Sequence, residues 1–266
     1  MKNIVLRPLC QLLVLFHFLT LVGCQEKHPK VQEVEALFGL EIITNQDRHS
    51  YSNGISYNKI EDSTRISNYL DVFVKEFQKY PTSYFEHIGL KRIILCDDLR
   101  VGKVRRAAYP DAQHNTLIFS IDSLKKRMPY LIHIMHHELH HCTEFALYGT
   151  MYHRSKTWQS LNEPNFKYGN GGGDAYLEES KEINWYWLTH PKKGFANWYA
   201  TTGEEEDRSE LVALLMNESR RDTLLAYCKE DIVLKKKVFY MINELDGIVK
   251  STSNYWGTIL TKLETE

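Results

Sequence analysis

No Cys-x-x-Cys pair, no Gly-x-Ser-x-Gly turn and no phosphate-cradling glycine loop occurs in the 266 residues. Those absences exclude thiol-redox motifs, the α/β-hydrolase nucleophile turn and P-loop chemistry. An excess of one charge is also lacking, with 33 basic and 34 acidic residues and a net charge of −1. The sequence therefore offers neither a basic stripe for nucleic acid nor a long acidic tail, and no nucleic-acid partner is expected. There is no internal repeat and no low-complexity segment. What remains is ordinary globular composition, 43% hydrophobic and 25% charged, enough for one sizeable core. Tyrosine is abundant, at 16 residues, and aromatics crowd between residues 148 and 199. Aromatic-rich segments pack cores or line a substrate groove.

Long apolar runs are confined to the N-terminus. Lys2 and Arg7 precede an almost wholly apolar stretch, Leu9 to Val22, interrupted by Gln11, His17 and Thr20. It is too short for a comfortable membrane span and reads as a signal peptide over residues 1–23. Leu21-Val22-Gly23-Cys24 resembles the lipobox of bacterial lipoproteins. The resemblance implies cleavage before Cys24, lipidation of Cys24 with palmitate-type acyl chains, and a membrane tether. The expected location is the bacterial cell envelope, lipid-anchored at the outer membrane. Cys96, Cys142 and Cys228 then remain, an odd number at irregular spacing, and are expected to be buried small hydrophobes.

Residues 25–35 are polar and read as a tether, so 24–60 is expected to be the lipidated cysteine, tether and an N-terminal segment, and 61–266 the catalytic domain. A strand is predicted over Leu40–Thr44, followed by turns to Asn58. Asp62-Ser63 caps a predicted helix from Thr64 to Tyr80, with Ile66, Leu70, Phe73, Val74 and Phe77 at helical spacing. Strands are predicted over Lys91–Cys96, Ala107–Tyr109 and Thr116–Ile121. Met128 to Tyr148 runs without glycine after a proline at position 129 suited to a first helical turn. Further helices are predicted over Asp174–Thr189, Glu204–Met216 and Asp231–Val249. This order matches an α+β zincin-like fold, with a small mixed sheet, an active-site helix and a helical C-terminal half. Such a layout is expected to put strand 116–121 at the cleft edge, where an extended peptide could pair.

The chemistry concentrates in His136-His137-Glu138-Leu139-His140-His141. His137 and His141 are four residues apart, which stacks two imidazoles on one helix face, the spacing of an HExxH zinc site. Glu138 directly follows the first histidine, where its carboxylate can take a proton from water at the metal. His136 and His140 share the spacing, but His137 then stands where the base belongs. They are read as flanking or solvent-facing, and His133 as a core or supporting residue. A catalytic zinc takes three protein ligands and keeps one open position. The metzincin continuation is absent, because Glu144 and Leu147 occupy the required glycine and ligand positions. Gly171-Gly172-Gly173-Asp174 only faintly resembles the aspzincin motif. Within Glu204-Glu205-Glu206-Asp207-Arg208-Ser209-Glu210, Glu206 is the leading third ligand and Glu205 the next.

Tyr199, Glu206-Asp207 and Glu210 resemble the C-terminal half of the gluzincin site in the anthrax lethal factor catalytic domain. There a tyrosine precedes the liganding glutamate by seven residues and a second glutamate follows by four. Trp158 to Asn162 with Phe166-Lys167-Tyr168 resembles bacterial lipoproteins described as zinc-binding metallopeptidases. The resemblance covers residues 60–217, with a longer stretch here between His141 and Glu206. It implies one Zn2+ on His137, His141 and Glu206, with Glu138 as general base. It further implies Tyr199 as oxyanion donor, and Glu210, with Asp207 behind it, supporting a liganding histidine. A packed aromatic remains the other reading of Tyr199. The expected activity is peptide-bond hydrolysis, as an endopeptidase, on a peptide or protein substrate. A non-catalytic surface lipoprotein that binds peptide or metal is the alternative.

Overall fold

The computed structural model describes residues 27–48, 54–122, 128–177, 181, 183–248 and 255–265. The signal-peptide and Cys24 expectations lie outside them. Pro29 opens the first helix, α1 (Pro29–Phe38), which ends where Gly39 adopts a left-handed conformation. This corrects the tether reading, because Val31, Val34 and Phe38 are buried and bind the segment to the core. Strands β1 (Glu41–Ile43) and β2 (Ile55–Asn58) follow. Then come α2 (Ser63–Phe77), α3 (Thr82–His87), β3 (Arg92–Val101), β4 (Val104–Arg105), β5 (Ala108–Asp111) and β6 (Thr116–Ser120). The remaining helices are α4 (Met128–Tyr148), α5 (Lys156–Leu161), α6 (Glu204–Met216), α7 (Glu218–Glu230), α8 (Ile232–Ile248) and α9 (Tyr255–Thr265).

The Asp62 carboxylate caps α2 as expected, accepting from the Thr64 and Arg65 amides at 2.9 and 3.4 Å. Ile66, Leu70, Phe73 and Phe77 of the α2 stripe are buried together with Tyr69, and Val74 is half-buried. The main sheet runs β1-β3-β6-β5, parallel except for β5, which is antiparallel to β6. Side chains alternate across β3, so Ile93 and Leu95 enter the main core while Ile94 and Cys96 pack with Ile55, Tyr57 and Leu99 on the opposite face. The three described cysteines are free and buried, as expected. No helix among the described residues is long and apolar enough to cross a membrane.

Two differences matter for the cleft. Strand 116–121 is not its edge, because β6 is flanked by β3 on one side and β5 on the other. The edge is β5, which tolerates Pro110 because an edge strand needs donors on one side only. The Ala107 carbonyl accepts from the Ser120 amide at 2.8 Å. Ladder alternation therefore turns Tyr109 toward β6 and leaves the main-chain groups of Ala108 and Pro110 facing outward.

Second, the described residues within 174–189 form no α-helix. A 3-10 turn, Gly172–Tyr176, gives way to irregular chain through the described residues that follow. Distant donors take the carbonyls a helix would use. The Tyr199 amide donates to Trp185 at 3.0 Å, the Arg220 guanidinium to Tyr186 at 3.1 Å and the Tyr227 hydroxyl to Leu188 at 2.8 Å. Tertiary bonding outweighs local propensity there.

Candidate metal centre and cleft

Helices α4 and α6 are the centre of the molecule, and every residue of α6 is buried. A helix that carries four glutamates, an aspartate and an arginine can be buried only if each charge is met. Arg208 meets Glu144, and donates to Glu204 Oε1 at 2.7 Å and to the His153 carbonyl at 2.7 Å. Lys237 of α8 donates to Asp207 Oδ2 at 2.7 Å, and the Tyr168 hydroxyl donates to the same oxygen at 2.7 Å. Asp207 is thus engaged away from the histidines, which corrects its expected supporting role. It ties α6 to α8 instead.

Glu206 and Glu210, one turn apart, face α4. Glu206 Oε2 lies 3.1 Å from His137 Nε2 and 3.4 Å from His141 Nε2, and the two Nε2 atoms are 3.1 Å apart. Two ligands on a tetrahedral zinc, each about 2.0–2.1 Å from it, are separated by about 3.3 Å. The triangle of lone-pair atoms has those edges, and all three residues are buried. Two imidazole nitrogens and one carboxylate oxygen are also the donor set zinc accepts. These residues fit the metal. Glu205 is not in the triangle. Its carboxylate lies near the backbone of Gly171 and Gly203.

Burial alone would push the Glu206 carboxyl up, but contacts with His137 and His141 overcome it and hold it far below the usual carboxylate range. Burial disfavours charge on His137, yet Glu206 and Glu210 outweigh that and raise its pKa well above the ordinary value. Glu210 Oε1 is 2.9 Å from His137 Nδ1, close enough to hold the ring though out of line for a straight hydrogen bond. The same oxygen accepts from His133 Nε2 at 2.8 Å, and Asn197 donates to Oε2. His141 is steadied from its other side by Ser209 Oγ, 3.3 Å from Nδ1. Glu210 therefore stands against the second nitrogen of His137. Ser209, Asn197 and His133 join it; Ser209 and His133 share helices with the site, while Asn197 comes from the chain before α6 and no sequence spacing marked it.

His136 and His140 are not solvent-facing. His136 is enclosed by Tyr80 and Glu76 at 3.0 and 2.9 Å, and burial lowers its pKa to about 4 despite Glu76. His140 contacts Ser209 Oγ at 3.0 Å. Both are core histidines, because α4 is covered by α2 on one side and α6 on the other.

Glu138 opens into a cleft bounded by β5, α4 and the Gly172 turn. Burial raises the Glu138 carboxyl against the opposing pull of His137 and His141. The Tyr199 ring stands 5.8 Å from that of His137, and burial together with the Glu206 charge keeps its hydroxyl protonated far above the usual range. Gly172 fits between Glu206 and Tyr199, since a Cβ there would come within 2.3 Å of both Glu206 Oε1 and the Tyr199 hydroxyl. Tyr109, Tyr130, Tyr152, Tyr176 and Tyr186 complete the walls. The aromatic segment thus supplies the groove.

The fold is α+β, with the histidine-bearing helix packed against a small mixed sheet and a helical C-terminal half. A solved structure from Bacteroides caccae, described as a "putative zinc-binding metallo-peptidase", shares it with a TM-score of 0.52. The match covers 89% of this chain and 94% of that one at 11% sequence identity, so the likeness is one of fold. No known family model and no curated protein matches the sequence.

Proposed function

We propose that the protein is a zinc-dependent peptidase of the gluzincin type, with His137, His141 and Glu206 as metal ligands. The observation that carries this reading is the buried triangle of two imidazole nitrogens and one carboxylate oxygen beside Glu138 in an open cleft. Bound there, Zn2+ supplies a Lewis acid for a carbonyl oxygen and makes water acidic near neutral pH. Glu138 accepts a proton from the attacking water on its carboxylate and returns it to the leaving amine. The Tyr199 hydroxyl donates to the oxygen on which negative charge develops. Glu210 and Ser209 hold the second nitrogens of His137 and His141, which keeps each Nε2 aimed inward. The outward main-chain groups of β5 suit an extended peptide running through the cleft, which supports endopeptidase action.

The test is cleavage of a peptide library by the zinc-loaded protein and by Glu138→Gln. Losing general-base catalysis is expected to lower kcat by about 10²- to 10⁴-fold. Zinc content should stay unchanged. Unaltered cleavage by Glu138→Gln would remove Glu138 from the mechanism. The sequence of residues 1–24 supports export and lipid anchoring at the cell envelope. Cys24→Ser is expected to release the protein to the soluble fraction, and unchanged partitioning would reject the anchor.

A further inference from the structure

Arg106 stands two residues before the edge strand β5 and lines the same cleft as Glu138, His137 and Glu206. Its guanidinium carbon lies over the Tyr176 ring, 3.8 Å from the centroid. Neighbouring arginines are neutralised: Arg100 pairs with Asp98 at 3.0 Å, and Arg105 pairs with Asp122. Arg106 has no such pair among the described residues, although it is half-buried. The Tyr176 ring face offsets part of the cost of half-burying this cation, and no carboxylate within ion-pair distance among the described residues takes its N–H donors. Stacking fixes the plane of the guanidinium and leaves its edge donors free. It is the one arginine or lysine on the cleft wall among the described residues.

A single planar fork with free edge donors matches a carboxylate, which it grips bidentately, better than it matches a phosphate, which draws clustered cations. The other charges of the cleft are acidic, namely Glu138, Glu206 and Glu210. Away from the metal position, Arg106 is the one fixed cation that offsets Glu138 for an acidic ligand group, so the position of that group along the chain would be set. A peptide lying along the outer edge of β5 passes Glu138 and also reaches Arg106, which stands two residues before that strand.

We propose that Arg106 is the specificity-determining residue of this cleft and selects peptides that present a carboxylate to its stacked guanidinium. The proposal rests on the peptidase reading for the identity of the ligand. The carboxylate is an acidic side chain if cleavage is internal, and the chain terminus if it is not.

The experiment reads binding and cleavage separately. Zinc-loaded Glu138→Gln protein is titrated with three sets of hexapeptides. The first contains Asp and Glu and has free C-termini, the second is amidated at the C-terminus, and the third has Asn and Gln in place of the acids. The same titrations are repeated with R106A and R106K added, after thermal melting shows both fold. Wild-type residue 106 should favour the carboxylate-bearing peptides by roughly 10- to 100-fold, the range of a hydrogen-bonded charge. R106A should abolish the preference, and R106K should restore only part of it because the fork is lost. Loss with the second set alone assigns the terminus, and loss with the third alone assigns the side chain. Equal binding of all three sets, or an equal loss for all three in R106A, overturns the proposal. Cleavage by the unmutated enzyme without a carboxylate preference would leave the peptidase reading standing. A preference without cleavage would do the reverse.

Discussion

Replacing Gly172 by alanine is expected to damage the metal centre while sparing the fold. The new Cβ would lie 2.3 Å from Glu206 Oε1, 2.3 Å from the Tyr199 hydroxyl and 3.0 Å from Glu206 Cδ. Ordinary carbon–oxygen contact begins near 3.4 Å, so the shortfall is about 1 Å. The backbone of Gly172 is not in the left-handed region, so space is the obstacle. Both obstructing atoms are tips of side chains, and they will move before α6 does. Overpacking costs about 1–3 kcal/mol in a core, and the low end applies at a half-buried turn. The clash falls on Oε1 and Cδ, but the carboxylate moves as one planar group, so a shift of about 1 Å carries the facing Oε2 out of reach of a zinc bond of about 2.0–2.2 Å. Misplacement on that scale lowers rates by about 10²-fold. Zinc affinity by chelator competition and kcat/KM on a cleaved peptide should therefore both fall about 100-fold or more, with a melting temperature within a few degrees of wild type. Gly173→Ala is the control. A Cβ there meets nothing within 4 Å, so all three readings should be unchanged. If Gly172→Ala binds zinc like wild type, or if Gly173→Ala loses zinc equally, the steric reasoning is wrong.

Two stability predictions concern charges far from the metal. Lys237→Met leaves the Asp207 carboxylate buried with only Tyr168 to meet it, at an expected cost of about 3–5 kcal/mol by urea denaturation. Adding Asp207→Asn should recover most of that, and failure to recover would show that packing against Phe195 and Trp158 carries the cost. Asp231 caps α8, accepting from the Val233 and Leu234 amides at 2.8 and 3.0 Å and from His190 Nε2 at 2.8 Å. Burial would raise its carboxyl, but the Gly194 and Leu234 amides, His190 and the Val233 amide lower it. A depressed native pKa stabilises the fold fully above the unfolded value, about 3.9, and is lost as pH falls through the native value. Asp231→Asn should therefore flatten the decline of stability below about pH 4. An unchanged acid limb would show that Asp231 does not contribute.

The parts of the site readable from sequence are those whose chemistry is local. His137, Glu138 and His141 sit on one helix, and the ends of that helix are marked by Pro129 and by Gly149, whose amide closes on the Phe145 carbonyl. Glu206 stood out in the acidic run after the histidines, and Glu210 entered only through the resemblance to the gluzincin pattern; the structure brings Glu206, and not Glu205, to His137 and His141. Asp207 misled because adjacency in sequence says nothing of which helix face a side chain shares, and residue 207 turns toward α8. His136 and His140 misled for a related reason: a histidine-rich stretch reads as polar, yet each ring here has a buried partner. The segment 174–189 has helical composition, but its carbonyls are claimed by residues 199, 220 and 227. Helices α7 and α9 went unseen because α7 buries only Leu224, Leu225 and Cys228, too sparse a stripe to announce itself. The edge role of β5 needed the sheet order, which no local pattern contains.

The most direct measurement is anomalous X-ray scattering at the zinc edge from crystals of the zinc-loaded protein. The account predicts one strong peak per chain, about 2.0–2.2 Å from His137 Nε2, His141 Nε2 and a carboxylate oxygen of Glu206, with a position left open toward Glu138. A peak held by His133 and Glu210 instead, or zinc bound to the two histidines with Glu206 turned away, would contradict it.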